Sequence, residues 1–450
     1  MISTWRRRKA GRRAAKEEQR QKMEVNGGDL ELTIPNHFRC PISLDLMKDP
    51  VTLSTGITYD RSSIETWIES GNVTCPITNQ VLRSLEPIPN HTIRKMIQDW
   101  CVQNRGFGIE RIPTPRTPIS SFAVSEIVSK IEVASSREDG EGCRDLVAKI
   151  KASVRESERN KRCIVSNGAG KGLASAFERF SKADLGENAA VLEEILSALT
   201  LVFPLDEEAK ASLGSSSSLK CMVWCLEGGN LSSRRNSVLV LKQIVSSDQK
   251  KILGLEETKG ALEALAKLIK EPICPTSTKA SLVVIYHMVN SPSSNDRIRE
   301  RFVEMGLVSL LLEILVDAEK SVCDKALGVL DGICRSKKGR EMAYSHALTT
   351  PVLVKKILRV SDLATEFSVS ILWKLCKNVD PNGSGDQEGV RVIVEALQVG
   401  AFQKLLLILQ VGCGDRIKEK TCELLKILNL HRERLECIDS GDFKDLKRPF

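Results

Sequence analysis

Cysteine and histidine are the side chains of this sequence best suited to metal binding or nucleophilic chemistry. The 450 residues contain fourteen cysteines and five histidines. Cys40 and Cys75 each precede a proline, and Cys101 follows in a predicted helix; His37 and His91 are the nearest histidines. Two tetrahedral zinc sites need about eight such ligands. The stretch therefore predicts no metal site, and no other cofactor is indicated.

The other cysteines are scattered along the chain, and no Cys-x-x-Cys pair occurs. We find no secretory signal and no twenty-residue apolar span, which predicts a protein without an integral membrane segment. Free, mostly buried thiols in a reducing compartment are expected, and this favours a cytoplasmic location. None of the cysteines lies in a pattern typical of a reactive nucleophile, so no catalytic residue is predicted.

Short elements must set the positions of Cys40 and Cys75. Residues 51–59 are typical of a hairpin with a glycine turn, and Asp60 is placed to cap a helix over 61–70. A second loop follows at 75–80, and Pro89-Asn90 opens a helix that ends near residue 104. The pattern predicts a small α+β domain built around two loops.

Several short blocks follow one another in this stretch. They are Pro35-Asn36-His37-Phe38-Arg39-Cys40-Pro41-Ile42, Asp49-Pro50-Val51, Gly56-Ile57-Thr58-Tyr59-Asp60-Arg61, Ile64-Glu65-Thr66-Trp67, Cys75-Pro76 and Ile88-Pro89-Asn90. In this order the blocks resemble the U-box, the zinc-free relative of the RING domain in E3 ubiquitin ligases. Their residues are most similar to those of plant U-box proteins that carry armadillo repeats behind the box.

The resemblance implies that polar side chains hold the two loops in place of zinc. Cys40 and Cys75 are then loop-packing residues rather than metal ligands. The side chains expected in the polar network are Asp49, Tyr59, Arg61, Glu65 and Asn90, with Thr58 and Asp60 as further candidates.

The resemblance also implies a shallow apolar groove for a ubiquitin-conjugating enzyme, the E2. Ile42 and Leu44 of the first loop, Trp67 at the end of the short helix and Pro76 of the second loop would line it. Apolar anchors with a polar rim suit a small, weak contact of roughly 1,000 Å² or less. The alternative for Ile42 and Leu44 is plain loop packing.

Asn79 lies where RING-type ligases often place a side chain that contacts both E2 and ubiquitin. Arginine is the common residue there, and asparagine is shorter. We therefore keep Asn79 as a candidate bridging residue, with its neighbour Gln80 as the alternative.

The net charge of +8 comes largely from the N-terminus, where residues 1–25 hold nine Lys or Arg and three Glu. The rest of the chain is close to neutral, which argues against a nucleic-acid-binding protein. The basic run at 5–13 is interpreted as a solvated tail. A nuclear-import or anionic-surface patch is the alternative, so a nuclear location is kept beside the cytoplasmic one.

The region behind the box is helical and repetitive. Apolar side chains recur at i, i+3, i+4 and i+7, and Gly260, Gly306 and Gly400 each precede such a run. The period in the low forties matches an armadillo or HEAT-like solenoid of about six units. Residues 212–218, which are rich in serine, and residues 380–386 are interpreted as loops within it.

The sequence therefore predicts a mostly α protein, in which a small α+β U-box is followed by an α-helical armadillo-type solenoid. Thr114 and Thr117 precede prolines in the linker and are candidate phosphorylation sites, with a plain spacer as the alternative. The expected segments are a basic disordered tail at 1–31, the U-box at 32–106, a Pro-rich linker at 107–122, the solenoid at 123–440 and a C-terminal tail at 441–450.

Together these features predict an E3 ubiquitin-protein ligase of the RING type. The box would bind ubiquitin-charged E2 and promote direct transfer to a substrate lysine, while the repeats recruit the substrate. The alternatives are a non-catalytic armadillo scaffold with a vestigial box, a zinc-dependent RING-like or nucleic-acid protein, and a covalent ubiquitin carrier that uses Cys40. A homodimer through the U-box and a role in plant defence or stress signalling are implied by resemblance only.

Overall fold

The computed structural model of the chain contains two compact units, which divide between Thr117 and Pro118. It describes residues 34–112, 118–246, 249–291, 296–377, 387–412 and 414–442, and at 387–388 and 433–442 it describes the backbone only. The predictions that fall outside the described residues concern the basic tail 1–31, Thr114, Thr117, the loop 380–386 and the C-terminal residues 443–450.

A three-stranded antiparallel sheet organises the first unit, in the order β2–β1–β3. The strands are β1 Pro50–Thr52, β2 Thr58–Asp60 and β3 Ile88–Pro89. Val51 of β1 pairs with Tyr59 on one side and with Pro89 on the other. The hairpin predicted at 51–59 is confirmed, and Pro89 lies in an edge strand, where its missing N–H is tolerated.

Two helices pack against this sheet, α1 Arg61–Glu69 and α2 His91–Gln103. Asn90 caps α2, because its side-chain oxygen accepts a hydrogen bond from the amide of Ile93 at 3.0 Å. Short 3-10 turns lie at Asn36–Phe38 and Arg105–Phe107. The fully buried core is small, so the fold must obtain part of its rigidity from polar contacts.

The second unit is entirely helical in the residues that the structure describes. Its helices are α3 Ser121–Ser136, α4 Gly140–Glu156, α5 Glu158–Ser166, α6 Ala169–Phe180, α7 Ala189–Leu201, α8 Glu207–Leu213, α9 Ser216–Gly228, α10 Leu231–Val245, α11 Gln249–Glu257, α12 Ala261–Lys270, α13 Pro275–Asn290, α14 Asp296–Glu304, α15 Leu307–Asp317, α16 Lys320–Ile333, α17 Lys337–Ser345, α18 Thr349–Lys356, α19 Asp362–Cys376, α20 Gln387–Gln398, α21 Ala401–Val411 and α22 Asp415–Asp442.

From α5 onward the described helices fall into six groups of three, preceded by the pair α3 and α4. The last helix of each group packs on the last helix of the next, so that α4, α7, α10, α13, α16, α19 and α22 form a continuous stack. A single apolar core runs through all groups. This is the solenoid that the sequence predicted, since each group buries its apolar sides only against its neighbours.

Glycines begin several of the second helices. Gly260, Gly306 and Gly400 have φ of 84°, 77° and 80°, and Gly168 before α6 has φ of 75°. Only glycine adopts this left-handed region without strain. At Gly260 a Cβ would also collide with the carboxylate of Glu227. The prediction that glycine opens these helices is confirmed for Gly260, Gly306 and Gly400.

The serine-rich stretch 212–218 is not a loop, and this prediction was wrong. Helix α8 continues to Leu213 and α9 begins at Ser216. Ser215 caps α9 through a hydrogen bond from the amide of Ser218 to its hydroxyl at 3.4 Å. Serines that favour turns by composition also make good N-caps, and here they start a helix.

A buried ion pair joins the last helices of two consecutive groups. Lys374 Nζ of α19 lies 2.6 Å from Asp331 Oδ1 of α16 and donates to the Asp331 carbonyl at 2.7 Å. Burial lowers the pKa of Lys374, although Asp331 opposes this effect. A pair of this kind is costly to break, because either partner alone would be a buried charge.

We expect Lys374→Ala to destabilise the solenoid by about 3 kcal/mol, because it leaves the Asp331 carboxylate buried and unpaired. The matched control is Arg301→Ala, which removes an exposed ion pair between groups, with Glu263 at 3.0 Å. That control should leave the unfolding midpoint unchanged within error. Urea unfolding of the full chain, followed by circular dichroism, measures both. Equal midpoints for the two variants would contradict the prediction.

Candidate functional site

The first loop of the box, at residues 40–45, is a compact turn closed by its own backbone. The amide of Cys40 donates to the carbonyl of Asp45 at 2.8 Å, and the amide of Leu44 donates back to the Cys40 carbonyl at 2.8 Å. Leu44 has φ of +62°, the left-handed region that residues other than glycine seldom adopt. This turn leaves Ile42 37% and Leu44 68% exposed.

The second loop, at residues 75–80, has the same backbone. The amide of Cys75 donates to the carbonyl of Gln80, and the amide of Asn79 donates to the Cys75 carbonyl, both at 2.9 Å. Asn79 takes the left-handed position with φ of +55°. Pro76 is half-buried, whereas Ile77 is 54% exposed. Both loops therefore direct an isoleucine outward, two residues after their cysteine.

The two cysteines that begin these loops are fully buried, and their sulfurs accept hydrogen bonds. The Cys40 sulfur accepts from the amide of Asp60 at 3.3 Å. The Cys75 sulfur lies 3.0 Å from the Tyr59 hydroxyl and accepts from the Thr55 hydroxyl at 3.4 Å. The two sulfurs are thus hydrogen-bonded to neighbouring residues of β2, Cys75 to Tyr59 and Cys40 to Asp60.

These contacts set the protonation of the groups involved. Burial raises the pKa of Cys75, but hydrogen bonds from Thr55, Thr78 and Tyr59 outweigh it and lower the pKa to about 6. Burial and the hydrogen bond to Cys75 raise the pKa of Tyr59. Tyr59 is therefore the donor and the Cys75 sulfur the acceptor in their contact.

Asp49 is the centre of a charged cluster beside the first loop. Its Oδ2 lies 2.7 Å from Arg61 Nε, and its Oδ1 forms an ion pair with Arg94 of α2. Arg61 also pairs with Glu65 at 3.6 Å. Burial lowers the pKa of Arg94. The cluster connects the residue before β1 to both helices.

Asp60 and Asn90 brace the sheet from two sides. Asp60 Oδ1 accepts from the amides of Lys48 and Asp49 at 2.7 and 2.8 Å, so its side chain does not cap α1 as predicted. The carboxylate accepts hydrogen bonds from these two amides instead of from the first turn of α1. Asn90 Nδ2 donates to the hydroxyls of Thr52 and Thr58 at 3.1 and 3.3 Å.

The structure places every residue predicted for the polar network in such a contact. It also adds members that the sequence reasoning missed. Arg94 is the second cation on Asp49, and Thr55 is a donor to Cys75. A signal for Arg94 was available in the sequence, because it lies in the first turn of α2, shortly after the capping asparagine. Thr55 lies in the hairpin turn, and no local pattern marks it.

Trp67 lies on α1 next to the second loop. Its indole Nε1 donates to the carbonyl of Thr74 at 2.8 Å, one residue before Cys75. The ring is half-buried and packs against the core of the box. Asn72 supports it by donating to the Trp67 carbonyl at 3.0 Å. The hydrogen bond holds the ring at Thr74, two residues before Pro76 in the chain, and part of the ring stays exposed.

Asn79 is exposed, and among the described residues its side chain has no hydrogen-bond partner. Its left-handed backbone is one reason for asparagine at this position, since asparagine tolerates that conformation better than most residues. Ile77 was missed as a candidate surface residue. Its place in the second loop matches that of Ile42 in the first, and aligning the two Cys-Pro-Ile stretches was the signal that identifies it.

No group of three or more His, Cys, Asp or Glu is arranged to hold a metal ion within the described ranges. The twelve cysteines in these ranges are free thiols, and nine of them are buried. No single described helix is long and apolar enough to cross a membrane. One bent pair, Gly389–Gln398 with Ala401–Val411, reaches the required length and apolar composition only when its two helices are taken together.

We expect the stability of the box to depend on pH through Cys75. Its folded pKa near 6 lies below the value of about 8.5 for an unfolded thiol. The stabilisation is therefore fully present above about pH 8.5 and is lost as the pH falls through 6, with a slope of up to about 1.4 kcal/mol per unit. Hydrogen-exchange mass spectrometry of β1 and β2 during urea titration measures it. Cys75→Ser is the control, and a slope of equal size in that variant would contradict the prediction.

Comparison with protein families assigns both units. A model of the U-box domain matches residues 34–106, and a model of the plant U-box protein ARM repeat region matches residues 123–448. Among solved structures, a designed armadillo repeat protein aligns with 57% of this chain and 99% of its own, at 18% identity and a TM-score of 0.45.

Relatives from Arabidopsis thaliana match along nearly the whole chain. U-box domain-containing protein 21 is 47% identical over 93% of this chain and 94% of its own length. The E3 ubiquitin-protein ligase PUB23 is 34% identical over 90% of this chain and 95% of its own. The predicted fold class, family and enzyme class are confirmed. The chain belongs to the plant U-box proteins with armadillo repeats and is a U-box E3 ubiquitin ligase.

Proposed function

We propose that the exposed side chains of the two box loops bind ubiquitin-charged E2, and that Ile42, Leu44, Trp67 and Pro76 form the contact. The observation that carries the proposal is the first loop, whose left-handed turn holds two large apolar side chains in solvent. Exposed apolar side chains grouped on a rigid turn are typical of protein interfaces. The indole of Trp67 and the exposed Ile77 extend this apolar surface around the second loop.

The transfer chemistry needs no nucleophile from this chain. Ubiquitin is carried as a thioester on the E2 cysteine, and the amine of a substrate lysine attacks that carbonyl directly. The bond to the E2 sulfur breaks and an isopeptide bond forms. Holding both partners together converts a bimolecular step into an effectively intramolecular one, which can lower the barrier by several kcal/mol, and by roughly 7–11 kcal/mol when the reacting groups are well oriented.

The state of Cys40 argues against a covalent ubiquitin carrier. Its side chain is fully buried, and its sulfur accepts the Asp60 amide. A carrier cysteine must be reached by a thioester carbonyl, which requires an exposed thiol. Within the described ranges the half-buried cysteines are Cys163, Cys274 and Cys422, and all belong to the solenoid.

The stack of last helices offers a surface for the substrate. Arg235 of α10 and Lys325 of α16 are exposed along it. Tyr286 of α13 and Phe367 of α19 meet edge to face, 6.1 Å apart, across Gly328 of α16. A row of parallel helices with mixed aromatic and cationic side chains suits an extended or helical protein segment.

A non-catalytic armadillo scaffold is the second candidate function. It requires a box that folds without presenting an E2 surface. Asn79, the proposed bridge between E2 and ubiquitin, is shorter than the arginine common at that place, and this is the observation that favours it. Loss of the biological effect on deleting residues 34–106 would favour the ligase, and an unchanged effect would favour the scaffold.

A cytoplasmic location, with the nucleus as a second compartment, stays a prediction. A homodimer through the U-box and a part in defence or stress signalling also stay predictions. Asn79 as a bridge between E2 and ubiquitin is proposed on its exposure and on its place at the end of the second loop.

We expect Ile42→Ala to lower the rate of E2-bound ubiquitin discharge onto free lysine by roughly tenfold or more, since interface anchors contribute about 1–2 kcal/mol each. The matched control is Val102→Ala, which truncates an apolar side chain of α2 that is 58% exposed and outside both loops. Circular dichroism should show both variants folded. Full activity of Ile42→Ala, or an equal loss in Val102→Ala, would refute the proposed contact.

We expect Leu44→Asn to separate stability from activity. Asparagine tolerates the left-handed backbone better than leucine, so the box should gain about 0.5–1 kcal/mol of stability. Activity should fall, because the exposed apolar anchor is lost. The natural asparagine at position 79 occupies the same turn position in the second loop. Thermal unfolding and lysine discharge measure the two effects, and a variant that is less stable or fully active would contradict this view.

A further inference from the structure

The two loops that carry the proposed E2 surface each form a hydrogen bond to the short strand β2 through a cysteine sulfur. Tyr59 and Asp60 are consecutive residues of β2. The hydroxyl of Tyr59 lies 3.0 Å from the Cys75 sulfur of the second loop, and the amide of Asp60 donates to the Cys40 sulfur of the first loop at 3.3 Å. Because Tyr59 and Asp60 are adjacent, their two hydrogen bonds together set the distance between the loops.

The contacts on the two sulfurs correspond to one another. The backbone of Ile42 and Ser43 helps to lower the pKa of Cys40, and that of Thr78 helps to lower the pKa of Cys75. A donor from β2 then completes each sulfur. In the first loop that donor is a backbone amide, which substitution cannot remove. In the second loop it is the Tyr59 side chain, and this makes the contact accessible to mutation.

Tyr59 cannot touch a partner, because its side chain is fully buried. Its ring packs in the core of the box, and its backbone pairs with Val51 of β1. Any effect of its hydroxyl on E2 must then pass through its partners in the second loop, which are the Cys75 sulfur and the backbone of Ile77. The hydroxyl adds little to the core itself, since phenylalanine fills the same space.

We propose that Tyr59 and Cys75 are positioning residues, whose hydrogen bond holds the second loop in register with the first so that both are presented to E2 together. This inference rests on the proposed function of the loops. It assigns to the cysteine an active part in place of loop packing alone. Among the described residues, a donor from the hairpin turn, Thr55, and one from β2, Tyr59, meet at this sulfur.

The preference of Cys75 for the thiolate form supports this assignment. Hydroxyls of Thr55, Thr78 and Tyr59 all donate toward the sulfur, and together they lower its pKa to about 6. A charged acceptor makes each of these hydrogen bonds stronger than a neutral one would be. No cation among the described residues is paired with the sulfur, so the hydroxyls supply its stabilisation.

The test uses the full chain with Tyr59→Phe, Cys75→Ala and Cys75→Ser. The first readout is amide hydrogen exchange in residues 75–80, which does not depend on E2. The second is the KM for ubiquitin-charged E2 in lysine discharge, measured separately from kcat. Ile97→Val serves as a matched control, because it removes a buried methyl group from α2 and no hydrogen bond to either loop.

We expect Tyr59→Phe to speed exchange in residues 75–80 and to raise KM roughly three- to tenfold, the loss expected for one hydrogen bond. Cys75→Ser should be milder than Cys75→Ala, because a hydroxyl still accepts. Tyr59→Phe should raise KM much less in the Cys75→Ala background than in the unmodified chain, because the acceptor sulfur is already gone. Ile97→Val should change neither KM nor the exchange of the loop relative to the rest of the box.

Unchanged exchange in residues 75–80 of Tyr59→Phe would overturn the inference, and so would faster exchange with an unchanged KM. Additive effects of Tyr59→Phe and Cys75→Ala, or an equal rise of KM in Ile97→Val, would also overturn it. If the unmodified chain fails to stimulate discharge, the proposed function fails. The exchange data then decide the positioning role of Tyr59 by themselves.

Discussion

Hydrogen bonding to two buried sulfurs and two carboxylates is the constraint on which the box depends. The loops at 40–45 and 75–80 are too short to bury a core of their own, and the sheet between them has only three short strands. In their place Asp49, just before β1, forms ion pairs with both helices, and Asp60 of β2 accepts the amides of Lys48 and Asp49. Each contact is modest alone, but they share partners, so they act as one network.

The position of this network explains how a small domain can present a surface. Apolar side chains that turn outward cannot add to the core, and the left-handed backbone at Leu44 costs further free energy. The polar bracing on the inner side of the loops offsets both costs. The box is therefore braced by polar contacts where it faces inward and apolar where it faces solvent, a combination that suits a contact that is specific without being tight.

Much of this could be predicted from the sequence, and the parts that could not have a physical reason. The hairpin at 51–59 and the helix after Asn90 follow from local turn and cap chemistry, which short stretches encode. The role of Asp60 could not be predicted, because a cap and a cross-strand acceptor look alike until the amides of Lys48 and Asp49 are placed beside it. Ser215 shows the same ambiguity, since serine favours turns and also starts helices.

The solenoid differs from the box in what joins its parts. Repeat arrays change length in evolution by gaining or losing whole groups of helices, provided that the new neighbours fit. The pair formed by Lys374 of α19 and Asp331 of α16 restricts this freedom. A group inserted between them would have to bring its own lysine for Asp331 and its own aspartate for Lys374. This junction therefore fixes the order of the repeats where α16 meets α19, whereas an exposed pair between groups, such as Arg301–Glu263, restricts it much less.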